Sequence, residues 1–418
     1  MSNLRVLTLN HADVRGGGAA IAGYRLHLAL TKAGIESSML VGGKASHDDR
    51  VHELRQLRTV RRPIRAVTER LGLNELDGIS AYGVQRRQDF RDCDVVHYHA
   101  IHGSWFSYPT MPTLTQAKPS ALTLHDMWPL TGHCSFSFGC DRWKTGCGTC
   151  PHPEVFPAIR RDSTALEWKL KDRLWAHSRL TIVSPSTWLA DIARRSMLGR
   201  FDIEVIPHGL DTEVFAPRDK VAARAALGLP ADEPVMMFAA ASVNDRRKGA
   251  DLVIDAVRAL PPSLRDQMIV VIMGDQGPQM KSALIGAGAR VADFGFVPSD
   301  DLKAVLYSAA DVFVFPTRAD NSPLVVLESL ACGTPVVAFD VGGISDMVRP
   351  GQTGSLAAPG DVESLTTELA ALVEEPDEAR RLGRNARQMA VTEFNEALAV
   401  QRHRRLYHRL LGSDEVSP

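Results

Sequence analysis

Short apolar runs recur along the chain, each leaving through a polar or glycine-rich turn into a segment of helical period. In the first half the runs are Arg5 to Leu9, Glu36 to Val41, Asp92 to Gly103 with its exit, Ala121 to Leu124, Leu180 to Val183 and Ile203 to Ile206. In the second half they are Pro234 to Ala241, Met268 to Met273, Arg290 to Phe294, Val312 to Phe315 and Pro335 to Phe339. Continuous apolar strands alternating with helices are the pattern of parallel sheets covered on both faces. The fold class expected is therefore α/β. The helix after the first strand carries Ile21, Tyr24, Leu28 and Leu30. The C-terminal helices show one apolar face at Leu365, Leu369, Leu372 and Val373.

The most informative stretch is Asp311 to Val348. It reads as a buried strand, a polar loop from Thr317 to Ser322, and a helix opened by Pro323 and closed by Gly333. Proline suits a first helical turn because its missing N–H had no intrahelical acceptor. Such a loop aims the free N–H groups of Leu324 and Val325 at whatever lies beyond the strand end, a favourable place for phosphate. Asp320 lies in the loop. Glu328 follows with seven residues between them, among Leu324, Val325, Val326, Leu327 and Leu330. A carboxylate in apolar company is costly without a partner. A sugar nucleotide offers hydroxyls to the acids and a diphosphate to the helix end.

This stretch resembles the donor site of the retaining glycosyltransferases of family 4, whose signature is Glu, seven residues, Glu. Here Asp320 takes the first place, one methylene shorter. The resemblance implies a GT-B fold, two Rossmann-like domains with parallel sheets facing a central cleft. It implies an acceptor-side N-terminal domain over 1–206, a linker over 207–217 and a nucleotide-sugar domain over 218–393. The last helix, within 394–413, is expected to pack back on the first domain. The linker reading rests on VIPHGLDTEVFAP (Val205 to Pro217).

Other residues gain roles from the same resemblance. Gly16, Gly17 and Gly18 follow the first strand but do not give the G-x-G-x-x-G fingerprint. They allow close backbone approach, and the resemblance puts Gly17 and Gly18 beside the donor phosphates. His125-Asp126 ends a strand at an edge where α/β ligands bind. On the residues alone a satisfied histidine is expected; the resemblance instead makes His125 a donor-sugar contact. Asp126 orients its loop or the acceptor, and His102 has an acceptor-side role. Arg247 and Lys248 stand just before a helix, suited to a diphosphate. The family's usual arginine position, five residues before the lysine, is Val243 here, so Arg247 supplies the guanidinium. Asn321, Ser322 and Pro323 join the donor loop, and the backbone near Val297 meets the base. The expected reaction moves a sugar from a UDP or GDP sugar to an acceptor hydroxyl, with retention and with no metal needed for catalysis. The acceptor expected is a lipid-linked or polysaccharide-precursor glycan. A sugar-nucleotide epimerase and a non-catalytic sugar-nucleotide-binding protein are the alternatives.

Four cysteines, Cys134, Cys140, Cys147 and Cys150, fall in one loop. The last two form C-x-x-C, half of a tetrahedral zinc site. A structural zinc is expected, with an iron–sulfur cluster, packing and redox roles as alternatives. The block WPLTG…C…GC..WKTGCGTCP also resembles a subset of family 4 from exopolysaccharide assembly, including colanic-acid-type transferases. His97, His99 and His102 lack a nearby acid to complete a metal site. Asp92 and Asp94 form a D-x-D pair that reads as a strand-entry turn.

Composition narrows the rest. With 418 residues, two or three domains are expected. Hydrophobic residues at 44% and charged residues at 23% are ordinary for a globular protein. A formal net charge of −1 argues against a general nucleic-acid binder. No apolar run reaches the roughly 18 residues of a membrane span, and the N-terminus enters a strand directly. A cytoplasmic protein with reduced cysteines is expected. Between Arg55 and Arg70, arginines interleave with Leu54, Leu57, Val60, Ile64 and Val67 at helical spacing. That region is a solvated face or a peripheral contact with anionic lipid at the inner face of the plasma membrane.

Overall fold

The computed structural model describes residues 4–413. The chain divides into two compact units. One comprises residues up to Gly209 together with Ala397 onward; the other runs from Leu210 to Glu396.

The first unit is built on a seven-stranded sheet: β1 (Arg5–Ala12), β2 (Glu36–Gly43), β3 (Val51–Glu53), β4 (Val95–Tyr98), β5 (Ser120–Thr123), β6 (Thr181–Ser184) and β7 (Ile203–Val205). The spatial order is β3-β2-β1-β4-β5-β6-β7, and every pairing is parallel. Alternate residues of β1 feed two cores. Leu7 and Leu9 join Tyr98, Leu122 and Ile182, while Val6 joins Val95, Val183, Leu406 and Tyr407. The second core needs the helix Glu396–Leu410, which supplies Val400, Leu406 and Tyr407.

The second unit holds a six-stranded sheet: β8 (Val235–Ser242), β9 (Ile269–Asp275), β10 (Arg290–Asp293), β11 (Val312–Phe315), β12 (Val336–Phe339) and β13 (Gly354–Ala357). Its order is β10-β9-β8-β11-β12-β13, again parallel throughout. Met237 and Ala239 of β8 face one core, Met236 and Phe238 the other.

Each sheet changes winding direction once, between β1 and β4 in the first unit and between β8 and β11 in the second. Crevices beyond the strand ends at such switch points are where open α/β sheets bind ligands. The loops at these points are Asn10 to Gly18 and His99 to Gly103 in the first unit, and Val243 to Lys248 and Thr317 to Ser322 in the second.

The expected strands all form, within a few residues at their ends. Two more, β3 and β13, lack the apolar runs that mark the others. The arginine-rich segment does contain a helix, Arg58–Leu71. Pro323 stands one residue outside its helix, at the cap with ψ 121°, and Leu324 is the first helical residue. Asp94 accepts from Arg5 Nη2 at 3.0 Å, as a strand-entry residue does. No helix among the described residues is long and apolar enough to cross a membrane.

Candidate functional site

The second unit's site forms where β8 and β11 end. Asp245 accepts the Arg247 N–H and opens a single turn, Arg246–Lys248. Gly249 follows at φ 78°, and a Cβ there would lie 2.0 Å from the Pro316 carbonyl oxygen. Glycine is therefore required for this turn to lie against the end of β11. The two loops are also stitched together. The Arg247 carbonyl accepts from the Arg318 N–H at 2.7 Å and the Thr317 hydroxyl at 2.9 Å.

This stitching brings Arg247 and Lys248 onto Asp320. Arg247 Nη1 donates to Asp320 Oδ2 at 3.0 Å and to the Ala319 carbonyl at 2.9 Å, and Lys248 Nζ donates to the same Oδ2. Asp320 is only 8% exposed. Burial pushes its carboxyl upward, but the Lys248 ammonium and Arg247 guanidinium outweigh burial and hold it below the usual range. Burial likewise pulls Lys248 down, against the attraction of Asp320. The Asp320 backbone is clamped from β12's side. Gly343 N–H donates to its carbonyl, and at Gly342, φ 60°, a Cβ would sit 1.8 Å from that same oxygen.

The helix Leu324–Ala331 begins four residues after Asp320. The N–H groups of Val326 and Leu327 return to the Pro323 carbonyl. Those of Leu324 and Val325 lie in the first turn, where no intrahelical acceptor exists. Glu328, 4% exposed, accepts from the Tyr307 hydroxyl at 3.2 Å. Asn321 is buried and Ser322 half-buried in the connecting loop. The Val297 side chain packs into the core.

In the first unit, Gly17 caps the helix Gly18–Lys32 at φ 85°. Neither Gly17 nor Gly18 has an atom within 4 Å of a would-be Cβ, so both border open space. His125 Nε2 meets His99 Nδ1 at 2.9 Å, and its ring stacks 5.4 Å from that of His208. Burial keeps both His99 and His125 neutral, well below the usual imidazole value. His102 behaves oppositely. Burial lowers it, but Asp126 at 2.7 Å outweighs burial and the imidazole is raised. His102 and Asp126 are thus one ion-paired unit rather than two independent contacts.

Sequence reasoning missed several supporting groups. Buried Glu75 accepts the N–H groups of Gly103 and Ser104 and so shapes the loop that carries His102. It lies in an irregular segment with no pattern to flag it. Lys171 is fully buried, donates to the Trp128 and Thr131 carbonyls, and sits 3.6 Å over the Trp128 ring. Tyr307 and the Val341–Gly343 turn were equally silent.

Cys134, Cys140, Cys147 and Cys150 line one small cavity together with His133. All are free thiols. Cys147 Sγ accepts from the Gly132 N–H and Cys150 Sγ meets His133 Nε2, each at 3.2 Å. Among the described residues no three His, Cys, Asp or Glu side chains are grouped so as to hold a metal ion. The spacing that suggested zinc does gather the four thiols about one cavity.

Two parallel α/β units, each with residues collected at its switch point, define a GT-B architecture. Residues 16–214 match the model for glycosyltransferase family 4, and residues 219–389 that for glycosyl transferases group 1. Between them these span both units, and the chain belongs to this family of glycosyltransferases. D-inositol 3-phosphate glycosyltransferase of Mycobacterium avium (strain 104) is 39% identical over 184 residues, 42% of this chain and 41% of that protein. The match thus spans about two fifths of the length of such relatives. Sucrose-phosphate synthase (tll1590) from Thermosynechococcus elongatus shares the fold, with TM-score 0.73 and 23% identity over 98% of this chain and 100% of that one. So does Anabaena Alr3699/HepE in complex with UDP-glucose, with TM-score 0.67 and 17% identity over 97% and 100%.

Proposed function

We propose that this protein is an enzyme that transfers a sugar from a nucleoside-diphosphate sugar to an acceptor hydroxyl with retention of configuration. The acceptor proposed is a lipid-linked or polysaccharide-precursor glycan. The observation that carries this is the convergence of Arg247 and Lys248 on Asp320, beside the first turn of the helix Leu324–Ala331. Two cations and a helix N-terminus suit a diphosphate, which gains charge as the glycosidic bond breaks. A preorganised donor of this kind contributes about 2.7–4 kcal/mol to a transition state. Asp320 aligns the two cations and offers its remaining acceptor capacity to the sugar hydroxyls. Glu328, steadied by Tyr307, takes the ribose hydroxyls. The proton of the attacking hydroxyl passes to a donor phosphate oxygen, on the face that the leaving group vacates. His125 and the Gly17-Gly18 turn are proposed as further donor contacts, and the His102–Asp126 pair as an acceptor contact. The UDP-glucose bound to the Anabaena protein makes a UDP sugar the first donor to try.

Calorimetry with UDP and GDP sugars tests binding, and slow donor hydrolysis without acceptor tests catalysis. Lys248→Ala and Glu328→Ala should each cut turnover at least about tenfold, roughly 1.4 kcal/mol. Near-normal turnover in both variants refutes the site. A structural zinc among the four thiols remains part of the proposal because they share one cavity. Metal analysis of the purified protein that finds none removes it.

A further inference from the structure

Four aromatic rings run in contact from the core of the first unit to its surface. Tyr108 and Trp128 are buried, with ring centres 5.5 Å apart. Trp128 lies 5.3 Å from His102, and His102 lies 5.8 Å from Phe156 at an interplanar angle of 71°. Phe156, the last of the four, is 59% exposed. A single exposed apolar side chain is ordinary, but this one is held in place. Its carbonyl accepts from the Ser135 N–H at 2.8 Å. The carbonyl of buried Pro157 accepts from His133 Nδ1 at 3.0 Å and from Asn74 Nδ2 at 3.3 Å. The Ser135 carbonyl in turn accepts from the Met127 N–H at 2.8 Å, one residue after Asp126. The cysteine-bearing loop is thereby folded back so that it presents one phenyl ring beside the His102–Asp126 pair.

The polar groups beside the ring are equally fixed. Asp126 Oδ1 accepts from the Trp128 N–H at 2.9 Å, while Oδ2 holds His102 Nε2. His102 Nδ1 has no hydrogen-bond partner among the described residues and is not sealed from solvent. It can therefore exchange a hydrogen bond with a hydroxyl. An aromatic surface with a few placed polar groups is the usual make-up of a site for a small polar ligand. The face of a phenyl ring is electron-rich, so it attracts the polarised C–H groups that line one face of a pyranose. Exposed Glu154 and Arg160 flank Phe156 along the chain and break any apolar run that a lipid tail or a protein face would need. Resting on the transfer reaction proposed above, we propose that Phe156 is the stacking platform for the acceptor: the accepting residue is a pyranose that lays a C–H face on this ring and sets its hydroxyls against His102 and Asp126.

The test is a saturation-transfer NMR titration of the whole protein with methyl β-D-galactopyranoside and methyl β-D-glucopyranoside. Sorbitol serves as the control, a polyol with comparable hydroxyls and no ring face. At least one pyranoside should bind and sorbitol should not. Phe156→Ala should weaken that binding by about three- to tenfold. Phe156→Trp, which keeps a flat aromatic face, should restore it. Because the side chain is mostly exposed, the alanine variant should keep the wild-type urea midpoint, which separates a lost contact from a lost fold. Unchanged pyranoside affinity in the alanine variant overturns the proposal. So does failure of the tryptophan variant to restore binding, absence of pyranoside binding by the wild type, or sorbitol binding as tight as that of the pyranosides. Calorimetry with UDP and GDP sugars tells the two readings apart. Nucleotide-sugar binding with pyranoside affinity indifferent to Phe156 removes the platform and keeps the transferase. Phe156-dependent pyranoside binding without nucleotide-sugar binding keeps a sugar-stacking ring and refutes the transfer reaction.

Discussion

Mild acid should destabilise the first unit, because five histidines meet at one place in it. The rings of His97 and His99 lie 4.5 Å apart, those of His99 and His125 5.1 Å, those of His125 and His208 5.4 Å, and those of His97 and His403 5.5 Å. Burial lowers all five, and for His97, His99, His125 and His208 neighbouring imidazoles add to it. His208 and His403 fall to about 4. Arg25 depresses His208 further and Arg402 depresses His403, while the uncharged Tyr407 hydroxyl and Thr123 hydroxyl engage His97. The sign follows from proton counting. Between pH 6.5 and about 4 the unfolded chain binds protons that the folded one refuses, so stability is complete above pH 6.5 and drains away as pH falls. At pH 5 each of His208 and His403 costs roughly 2 kcal/mol, at 1.36 kcal/mol per pH unit below 6.5. Together that is about 4 kcal/mol, against a typical stability of about 5–15. All six tryptophans lie between Trp105 and Trp188, so their fluorescence reports the first unit alone. Urea unfolding followed by that signal should lose stability between pH 7 and pH 5, the loss at His208 and His403 being offset in part by His102, whose imidazole is raised in the folded unit. His403→Gln should recover roughly 2 kcal/mol of the difference. Equal stability at the two pH values, or an unchanged slope in the glutamine variant, refutes the reasoning.

Two more substitutions probe the loops that place the sites. Gly342→Ala adds a methyl group where the Asp320 carbonyl already lies 1.8 Å away, at a backbone angle costly to L residues. It should weaken nucleotide binding at least about tenfold by calorimetry while circular dichroism stays near wild type. Lys171→Met leaves Glu167 and the Trp128 and Thr131 carbonyls without their buried cation. It should cost about 3–5 kcal/mol in urea unfolding, and a loss under 1 kcal/mol would make the ammonium dispensable.

The strands were legible because each apolar run was bounded by turn residues. The donor loop was legible because a polar segment, a proline and an apolar helix fell in a recognisable order. What brought Lys248 to Asp320 was not legible. They are separated by 72 positions and meet because β8 and β11 are neighbours, an adjacency set by winding order. Glu75 escaped notice for a similar reason: it works from an irregular segment on a loop 28 positions away. The arginine-rich helix was legible too, as a helix and as an exposed face. Its periodicity marked the helix, and the density of arginines among the apolar positions marked it as solvent-facing. The cysteine spacing predicted proximity, which holds, since all four thiols line one cavity.

The Tyr407 hydroxyl lies 2.8 Å from His97 Nδ1, and Leu406 sits in the same core as Val6. The first unit is thus stapled by residues from opposite ends of the polypeptide, with the second unit looped out as one uninterrupted segment. During synthesis residues 210–396 emerge as a whole and are free to fold first, while the earlier-made sheet waits for its closing helix. A chain cut after residue 396 would hold every element of the second unit but leave the first unit open along β1 and β4.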